Sequence, residues 1–296
     1  MTWRALTAAL PSHWTTRFAP APTGHLHLGH VLNAIHVWGI ARAHGGRVVL
    51  RIEDHDRARC RPEYETALLN DLSWLGFEPD TVAPPQHDRG ARYDQALAAL
   101  AANGLVYSCD CSRRTIAGDA PDVPNEELRY DGRCRSRDLH ESATLARRVR
   151  MDDGTEAFID MLLGPQIGAP SVQCGDLLVR DRLGQWTYQF AVTVDDLDQR
   201  IDLVIRGEDL LSSASRQLRL ARLLGRVEPI RFLHHPLLRH PNGAKLSKSH
   251  GDSGIGELRA AGRSAAEVIG LAALRGGLLG DATAITANDV AQFFAL

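Results

Sequence analysis

The sequence predicts an α/β nucleotide-binding fold, and three of its features carry that expectation. The first half reads strand, turn, helix, strand, helix, and two strands joined by a helix form a parallel crossover unit. The turn between the first strand and its helix is rich in Pro and Gly and delivers the chain to a helix N-terminus, where backbone N–H groups favour phosphate. After a polar, cysteine-bearing stretch, the β-then-helix pattern returns at residues 201–224.

Each element has a local reason. Residues 15–20 read as a short strand, and Pro20, Pro22 and Gly24 make the turn. Helical apolar spacing runs over residues 31–43 and stops at Gly45-Gly46. Val48, Val49, Leu50 and Ile52 give residues 47–52 a buried-strand pattern. A helix over 62–75 begins on Pro62, where a missing N–H costs little, and closes at Gly76. Another over 93–103 closes at Gly104. Residues 109–137 are polar and cysteine-rich, as an inserted module would be. Residues 175–186 read as a hairpin turning at Leu183-Gly184, 201–206 as β, 210–224 as helix, and the stretch after about residue 250 as Ala/Leu helices broken by Gly. The expected organisation is a nucleotide-binding first half (14–104), an inserted module (105–187), a second half (188–235), and a loop with a helical C-terminal region (236–296).

Bulk properties narrow the class. The 296 residues, 44% of them hydrophobic, allow a sizeable core and about two domains. No apolar run approaches the roughly 20 residues of a membrane span. The N-terminus lacks a secretory pattern, so a cytoplasmic protein with no membrane partner is expected. A net charge of −2, from 34 basic and 36 acidic side chains, argues neither for nor against nucleic acid. Five cysteines, an odd number, disfavour a disulfide framework, and three of them crowd between positions 109 and 134.

Two segments carry nucleotide chemistry. Residues 17–24 lead into His25-Leu26-His27-Leu28-Gly29-His30. His27 and His30, three apart, can face one ligand, and Gly29 between them leaves room for adenosine to approach the backbone. Alone, such a pair is equally a metal pair or a solvated surface pair. Late in the chain, Lys245-Leu246-Ser247-Lys248-Ser249 sets two lysines three apart in a Gly-flanked loop, where mobile ammonium groups suit the moving charge of a triphosphate. By itself this too would read as a solvated basic loop. A third segment, Arg51-Ile52-Glu53-Asp54-His55-Asp56, ends a buried strand with acids. Ligands bind at the carboxyl ends of parallel strands, so Glu53 could accept an α-ammonium, while Arg17 and Arg206 offer planar forks for a carboxylate.

Together, His-Leu-Gly-His and Lys-Leu-Ser-Lys-Ser resemble the paired signatures of class I aminoacyl-tRNA synthetases. The resemblance implies a Rossmann-like catalytic domain that makes an aminoacyl-adenylate from ATP with Mg²⁺. His27, Gly29, His30, Lys245 and Lys248 would hold the nucleotide, with His27, His30 and Lys248 catalytic. Arg17 to Gly24, the Arg-Ile-Glu-Asp segment and Ile205-Arg206-Gly207-Glu208-Asp209-Leu210 are similar to glutamyl-tRNA synthetase motifs, over roughly residues 15–255. This implies glutamate as substrate, bound by Arg17, Ala19, Ala21, Glu53, Tyr188 and Arg206. Ala21 replaces the family's usual Ser, and Val192 its usual Asn.

Cys109-x-Cys111, with Cys134 returning after a loop, offers three thiolates for one Zn²⁺. On physical grounds the fourth ligand is open: Asp110, Asp131 or water, with His140 close behind. Three buried free thiols are the plainer alternative. Cys-x-Cys followed by Tyr-x-x-x-Cys resembles the site of glutamyl-Q tRNA(Asp) synthetases, shortened paralogues of glutamyl-tRNA synthetase, and that resemblance implies a single structural Zn²⁺ on Cys109, Cys111, Tyr130 and Cys134. Cys60 and Cys174 fit no ligand spacing.

Counting 296 − 248, 48 residues follow Lys248, room for a short helical stem-contact-like region. The resemblance then implies activation of glutamate without tRNA and transfer to queuosine in the anticodon stem-loop of tRNA(Asp), by a monomer. The arginines of residues 210–226 are the expected source of salt-sensitive RNA affinity, unless they form a solvated helix face. Competing readings are a ligase charging another acceptor (a tRNA 3′ end, a carrier thiol or an amine) and a silent amino-acid- or tRNA-binding module.

Overall fold

The computed structural model describes residues 10–117, 128–238 and 254–295. The strands are β1 (Thr15–Phe18), β2 (Arg47–Leu50), β3 (Thr81–Val82), β4 (Val106–Cys109), β5 (Ala146–Val149), β6 (Glu156–Asp160), β7 (Gly164–Gly168), β8 (Leu177–Arg180), β9 (Leu203–Gly207) and β10 (Arg231–His235). The helices are α1 (Leu28–Ala43), α2 (Pro62–Leu75), α3 (Gly90–Ala102), α4 (Arg113–Ala117), α5 (Pro170–Cys174), α6 (Tyr188–Asp198), α7 (Leu211–Leu223), α8 (Ile255–Ala260) and α9 (Ala265–Arg275).

The opening crossover forms as the sequence predicts. β1 runs parallel to β2 with Arg17 opposite Val49, and β2 runs parallel to β3. The connection, α1, is buried on nearly every side, from Val31 and Ile35 to Ile40 and Ala41, which makes it the core helix of the domain. Arg51 to Ile52 lie past the end of β2, and α2 starts on Pro62 and ends on Gly76, whose φ of 82° is the left-handed region glycine favours.

The second half supplies β9 and β10, also parallel, with Arg206 opposite His234. β1 and β9 touch: the Asp202 amide donates to the Thr15 carbonyl at 2.9 Å, and the Thr15 amide donates to the Asp202 carboxylate at 2.8 Å. Strand order therefore runs outward from this junction in both directions, β1-β2-β3 one way and β9-β10-β6-β7 the other. Such a reversal opens a crevice at the carboxyl ends of the strands. The third sheet, β4-β5-β8, is antiparallel and carries Cys109 at the end of β4.

Two features depart from the sequence reading. Residues 156–168 form a hairpin whose first strand joins β10 in parallel, so part of the stretch between β5 and α6 extends the nucleotide-half sheet. Helix α7 does not expose its arginines as a basic face. Arg216 and Arg219 are buried, Arg219 is ion-paired with Glu156 and Asp152, and Arg222, exposed on the helix, reaches the same Glu156 at 2.6 Å. Carboxylates of the chain itself thus occupy Arg219 and Arg222, Arg216 bonds Ser212, and Arg226 bonds the carbonyls of Asp196, Ile201 and Glu228. No helix among the described residues is long and apolar enough to cross a membrane.

Candidate active site

The crevice between β1 and β9 holds a cavity of about 380 Å³. Around it stand Arg17, Ala19, Ala21, His27, Gly29, His30, Glu53, Tyr188 and Arg206, all singled out in the sequence. Lys245 and Lys248 lie outside the described residues. Asn33 and His235 also line the cavity and carried no sequence signal, and Asp209 lines it from the Ile205-to-Leu210 motif, where it had been given no role. Asn33 sits one helical turn beyond His30, and His235 ends β10, so position at a strand end was the only available clue.

His27 and His30 are fixed by the start of α1. His27 is the N-cap residue; its Nδ1 accepts from the Gly29 amide at 3.1 Å, and His30 Nδ1 accepts from the His27 amide at 3.2 Å. Two imidazoles thereby do what a Ser and a Glu do in a capping box. An acceptor Nδ1 puts the ring hydrogen of a neutral histidine on Nε2, so both rings carry their donor on the side away from the helix. Their centroids are 4.0 Å apart. A Cβ on Gly29 would meet His27 Cε1 at 2.9 Å, so glycine is what lets the His27 ring fold back onto the helix.

The end of the cavity walled by Arg17, Glu53 and Arg206 is strongly charged. Arg206, 3% exposed, donates from Nε to His234 Nε2 at 3.0 Å, from Nη1 to Gln217 Oε1 at 2.8 Å and from Nη2 to the Leu210 carbonyl at 3.1 Å. All three acceptors are neutral: His234 donates its Nδ1 hydrogen to Asp160 at 2.6 Å, which leaves Nε2 as an acceptor. Burial first, and then the nearby Arg17 cation, hold the Arg206 pKa below its ordinary value. Among the described residues no carboxylate bonds Arg206 directly, Asp196 acting on it only through space, and a buried guanidinium so placed is costly unless a ligand supplies the partner. Among the described residues Arg17 has one long ion pair, Nε to Asp196 Oδ1 at 3.4 Å, and donates from Nη1 to the Ile205 carbonyl at 3.4 Å. Glu53, beyond the end of β2, is buried and anchored by its amide to the Pro20 carbonyl at 3.1 Å. Arg17, Arg206 and Glu53 thus set two guanidiniums and one carboxylate on this part of the wall, complementary to the two carboxylates and one ammonium of an acidic amino acid, and Asp209 adds a second carboxylate elsewhere on the lining. Ala21 leaves a methyl at its position on that wall, and Val192 is buried in α6.

A larger cavity of about 1000 Å³ adjoins the first, and Tyr188 belongs to both walls. Arg59, Arg113, Arg182 and Gln189 line it, and Cys111 and Arg148 join it to the cysteine cluster.

In that cluster the sulfurs of Cys109, Cys111 and Cys134 all lie within 4.8 Å of one another, all buried. The Cys111 and Cys134 sulfurs are 3.5 Å apart. Thiolates at ~2.3 Å from one zinc in a tetrahedron sit ~3.8 Å apart, so the trio fits a zinc ion. Tyr130 Oη is 3.5 Å from Cys109 Sγ and accepts from the Cys134 amide at 2.9 Å. Of the other candidates, Asp110 Oδ1 is 3.3 Å from Cys134 Sγ but also bonds Arg137, Asp131 pairs with Arg133, and His140 is exposed. Burial pushes the Cys111 thiol up to about 12, whereas at Cys109 hydrogen bonds from Tyr130 and Arg148 outweigh burial and hold the thiol below its ordinary value. The Arg148 guanidinium lies 3.7 Å from the Tyr130 ring centroid and donates from Nε to Cys109 Sγ at 3.4 Å, so it favours negative charge on that sulfur. Gly175 closes the back: a Cβ there would sit 1.9 Å from the Tyr130 carbonyl oxygen, and its φ is +67°. Cys60 and Cys174 are buried and do not belong to the trio, although the Cys174 carbonyl accepts from the Tyr130 amide at 2.9 Å, and burial raises the Cys60 thiol to about 11.

Known proteins are similar to this one along most of the chain. A family model described as tRNA synthetases class I (E and Q), catalytic domain, matches residues 13–294. A protein of Nitratidesulfovibrio vulgaris named glutamyl-Q tRNA(Asp) synthetase is 41% identical, with 90% of this chain and 87% of the relative covered. Glutamate–tRNA ligase 1 of Acidithiobacillus ferrooxidans is 36% identical, with 94% of this chain and 60% of the relative covered. Among solved structures, a glutamate tRNA ligase from Elizabethkingia meningosepticum in complex with its amino acid superimposes with a TM-score of 0.78 at 25% identity, covering 94% of this chain and 64% of that one. With its crevice, paired histidines and family match in agreement, the chain belongs to the class I tRNA synthetases of the glutamyl and glutaminyl (E and Q) catalytic-domain family.

Proposed function

We propose that this chain activates glutamate with ATP, without tRNA, and transfers it to the queuosine base in the anticodon of tRNA(Asp). The observation that carries the amino-acid assignment is Arg206, a buried guanidinium on the cavity wall whose hydrogen-bond acceptors among the described residues are neutral. It needs an anion, and a carboxylate side chain supplies one where the amide of glutamine does not. Arg17 and Arg206 take the side-chain carboxylate, Glu53 takes the α-ammonium, and Tyr188, Ala19 and Ala21 shape the walls.

The α-carboxylate then attacks the α-phosphorus of ATP. A P–O bond forms, the bond to the β-phosphate oxygen breaks, and pyrophosphate leaves with its Mg²⁺. His27 and His30 donate from Nε2 to the phosphate oxygens as charge builds, Gly29 leaves the backbone open to the nucleotide, and Lys245 and Lys248 meet the leaving group. In the second step a cyclopentenediol hydroxyl of queuosine attacks the glutamyl carbonyl, an ester forms, AMP leaves, and the hydroxyl proton passes to solvent. The larger cavity beyond Tyr188, with its arginines, is the place for that nucleotide, in keeping with recognition of a splayed single-stranded base. The name of the Nitratidesulfovibrio vulgaris relative supports this acceptor.

One Zn²⁺ is held by Cys109, Cys111, Tyr130 and Cys134. Its role would be structural, clamping the β4-β5-β8 part of the inserted module (105–187) beside the acceptor cavity, between the nucleotide-binding halves 14–104 and 188–235, with 236–296 as the lysine loop and helical stem-contact-like region. The working protein is a cytoplasmic monomer. Transfer of labelled glutamate to tRNA from queuosine-containing strains, and none to tRNA from strains without it, is the expected outcome; equal transfer to both would reject the acceptor.

A further inference from the structure

Arg17 and Glu53 hold opposite ends of the amino acid in the reading above, and a continuous line of buried charge joins them. Arg51, wholly buried just past β2, donates from Nη2 to Glu53 Oε1 at 3.0 Å and from Nη1 to Asp196 Oδ1 at 2.7 Å. That same Asp196 oxygen lies 3.4 Å from Arg17 Nε. The order Arg17, Asp196, Arg51, Glu53 alternates in sign along its whole length. Gln199 Oε1 steadies Arg51 Nη1 at 3.0 Å, and Asp195 lies 3.9 Å from its Nε. Neither Arg51 nor Asp196 lines the cavity. Burying four ions costs more than apolar packing of the same volume would, so stability alone is a poor reason for the chain. A guanidinium is a rigid fork, and its two arms fix two carboxylates at a set separation.

We propose that Arg51 and Asp196 are positioning residues that set the span between Glu53 and Arg17, and so select an amino acid of glutamate's length over the shorter aspartate. The inference rests on glutamate being the substrate of the cavity. A competing role for Asp196, as a mere counter-ion, makes the opposite prediction. Removing its charge would then leave the site more positive and tighten both dicarboxylates equally. If it positions Arg17, removing it loosens the fork and the longer substrate loses most.

The test is ATP–pyrophosphate exchange by the full chain with glutamate and with aspartate, in wild type, Asp196→Asn and Arg51→Lys. Arg51→Lys keeps the buried charge but cannot bridge two carboxylates, so it decides the matter if Asp196→Asn does not fold. The expected result is a KM for glutamate raised ~10-fold or more, kcat within ~3-fold, an unchanged KM for ATP, and a glutamate-to-aspartate preference reduced ~10-fold, the order of one methylene's worth of discrimination. A fold defect alone would lower the active fraction and leave that preference untouched. An unchanged preference in a folded variant, or tighter glutamate binding at constant preference, overturns the inference. Wild-type exchange that does not depend on glutamate would instead remove the substrate reading beneath it.

Discussion

Replacing Arg206 by Gln separates folding from substrate recognition at a single residue. In the folded protein the guanidinium makes three hydrogen bonds to neutral acceptors. A glutamine amide keeps about one, so roughly two are lost at about 1 kcal/mol net each. Against that loss stands relief of burying an uncompensated cation, an effective penalty of several kcal/mol. The two terms oppose, and the variant's stability should move by no more than about 2 kcal/mol in either direction. Recognition has no such offset. Removing one partner of a buried charged pair costs about 2–5 kcal/mol, or roughly 30- to 5,000-fold in kcat/KM for glutamate. Exchange assays in glutamate and glutamine, beside a thermal melt, measure all three quantities. The expected pattern is a folded protein whose glutamate preference over glutamine has collapsed. Glutamate activation within threefold of wild type would refute the reasoning, because Arg206 would then not meet the substrate carboxylate.

Three further outcomes are expected. Lys248→Ala should slow glutamate-dependent exchange by ~10²–10³, the usual loss for one donor at a developing charge, with the melt unchanged; near wild-type exchange would remove Lys248 from the mechanism. Elemental analysis of protein purified without chelator should give about one zinc per chain, and Tyr130→Phe should release it faster to a chelator; freely titratable Cys109, Cys111 and Cys134 would contradict the site. Acid should destabilise the fold through His36, which burial, and then His235, hold at a pKa of about 3 in the folded state. Because the folded pKa lies below the unfolded one near 6.5, this stability is full above about pH 6.5 and is lost as pH falls towards 3, at up to roughly 1.4 kcal/mol per pH unit. His36→Gln should flatten that slope in urea titrations at pH 4–6, and an unchanged slope would show that His36 is protonated in the folded state.

The opening crossover and the cavity's inward-facing residues were legible because local chemistry and tertiary role coincide there. Pro62, Gly76 and the apolar run of β2 say the same thing at every level. What stayed hidden depends on partners far away in the chain. Asp195 and Asp196 look like an ordinary polar pair, yet both are buried, because Arg51 comes to them from just past β2 across 144 and 145 positions (195 − 51 and 196 − 51). β5 escaped notice because Arg147 and Arg148 interrupt its apolar pattern, although both are buried in the fold. β7, Gly-Pro-Gln-Ile-Gly, has almost no strand propensity and is held by pairing with β6. The arginines of α7 misled for the same reason: Glu156 and Asp152, which neutralise them, are more than 60 residues away in sequence (219 − 156 and 219 − 152).

Glutamate transfer to purified tRNA(Asp) tests the central claim most directly, with the same tRNA compared in two forms, one carrying queuosine at the wobble position and one carrying guanine. The enzyme is loaded with labelled glutamate and ATP, and the product is treated to remove the 3′-terminal adenosine. The account predicts label on the queuosine form only, retained after that treatment. Equal labelling of both forms, or label released with the adenosine, would contradict it and make this a 3′-end charging enzyme.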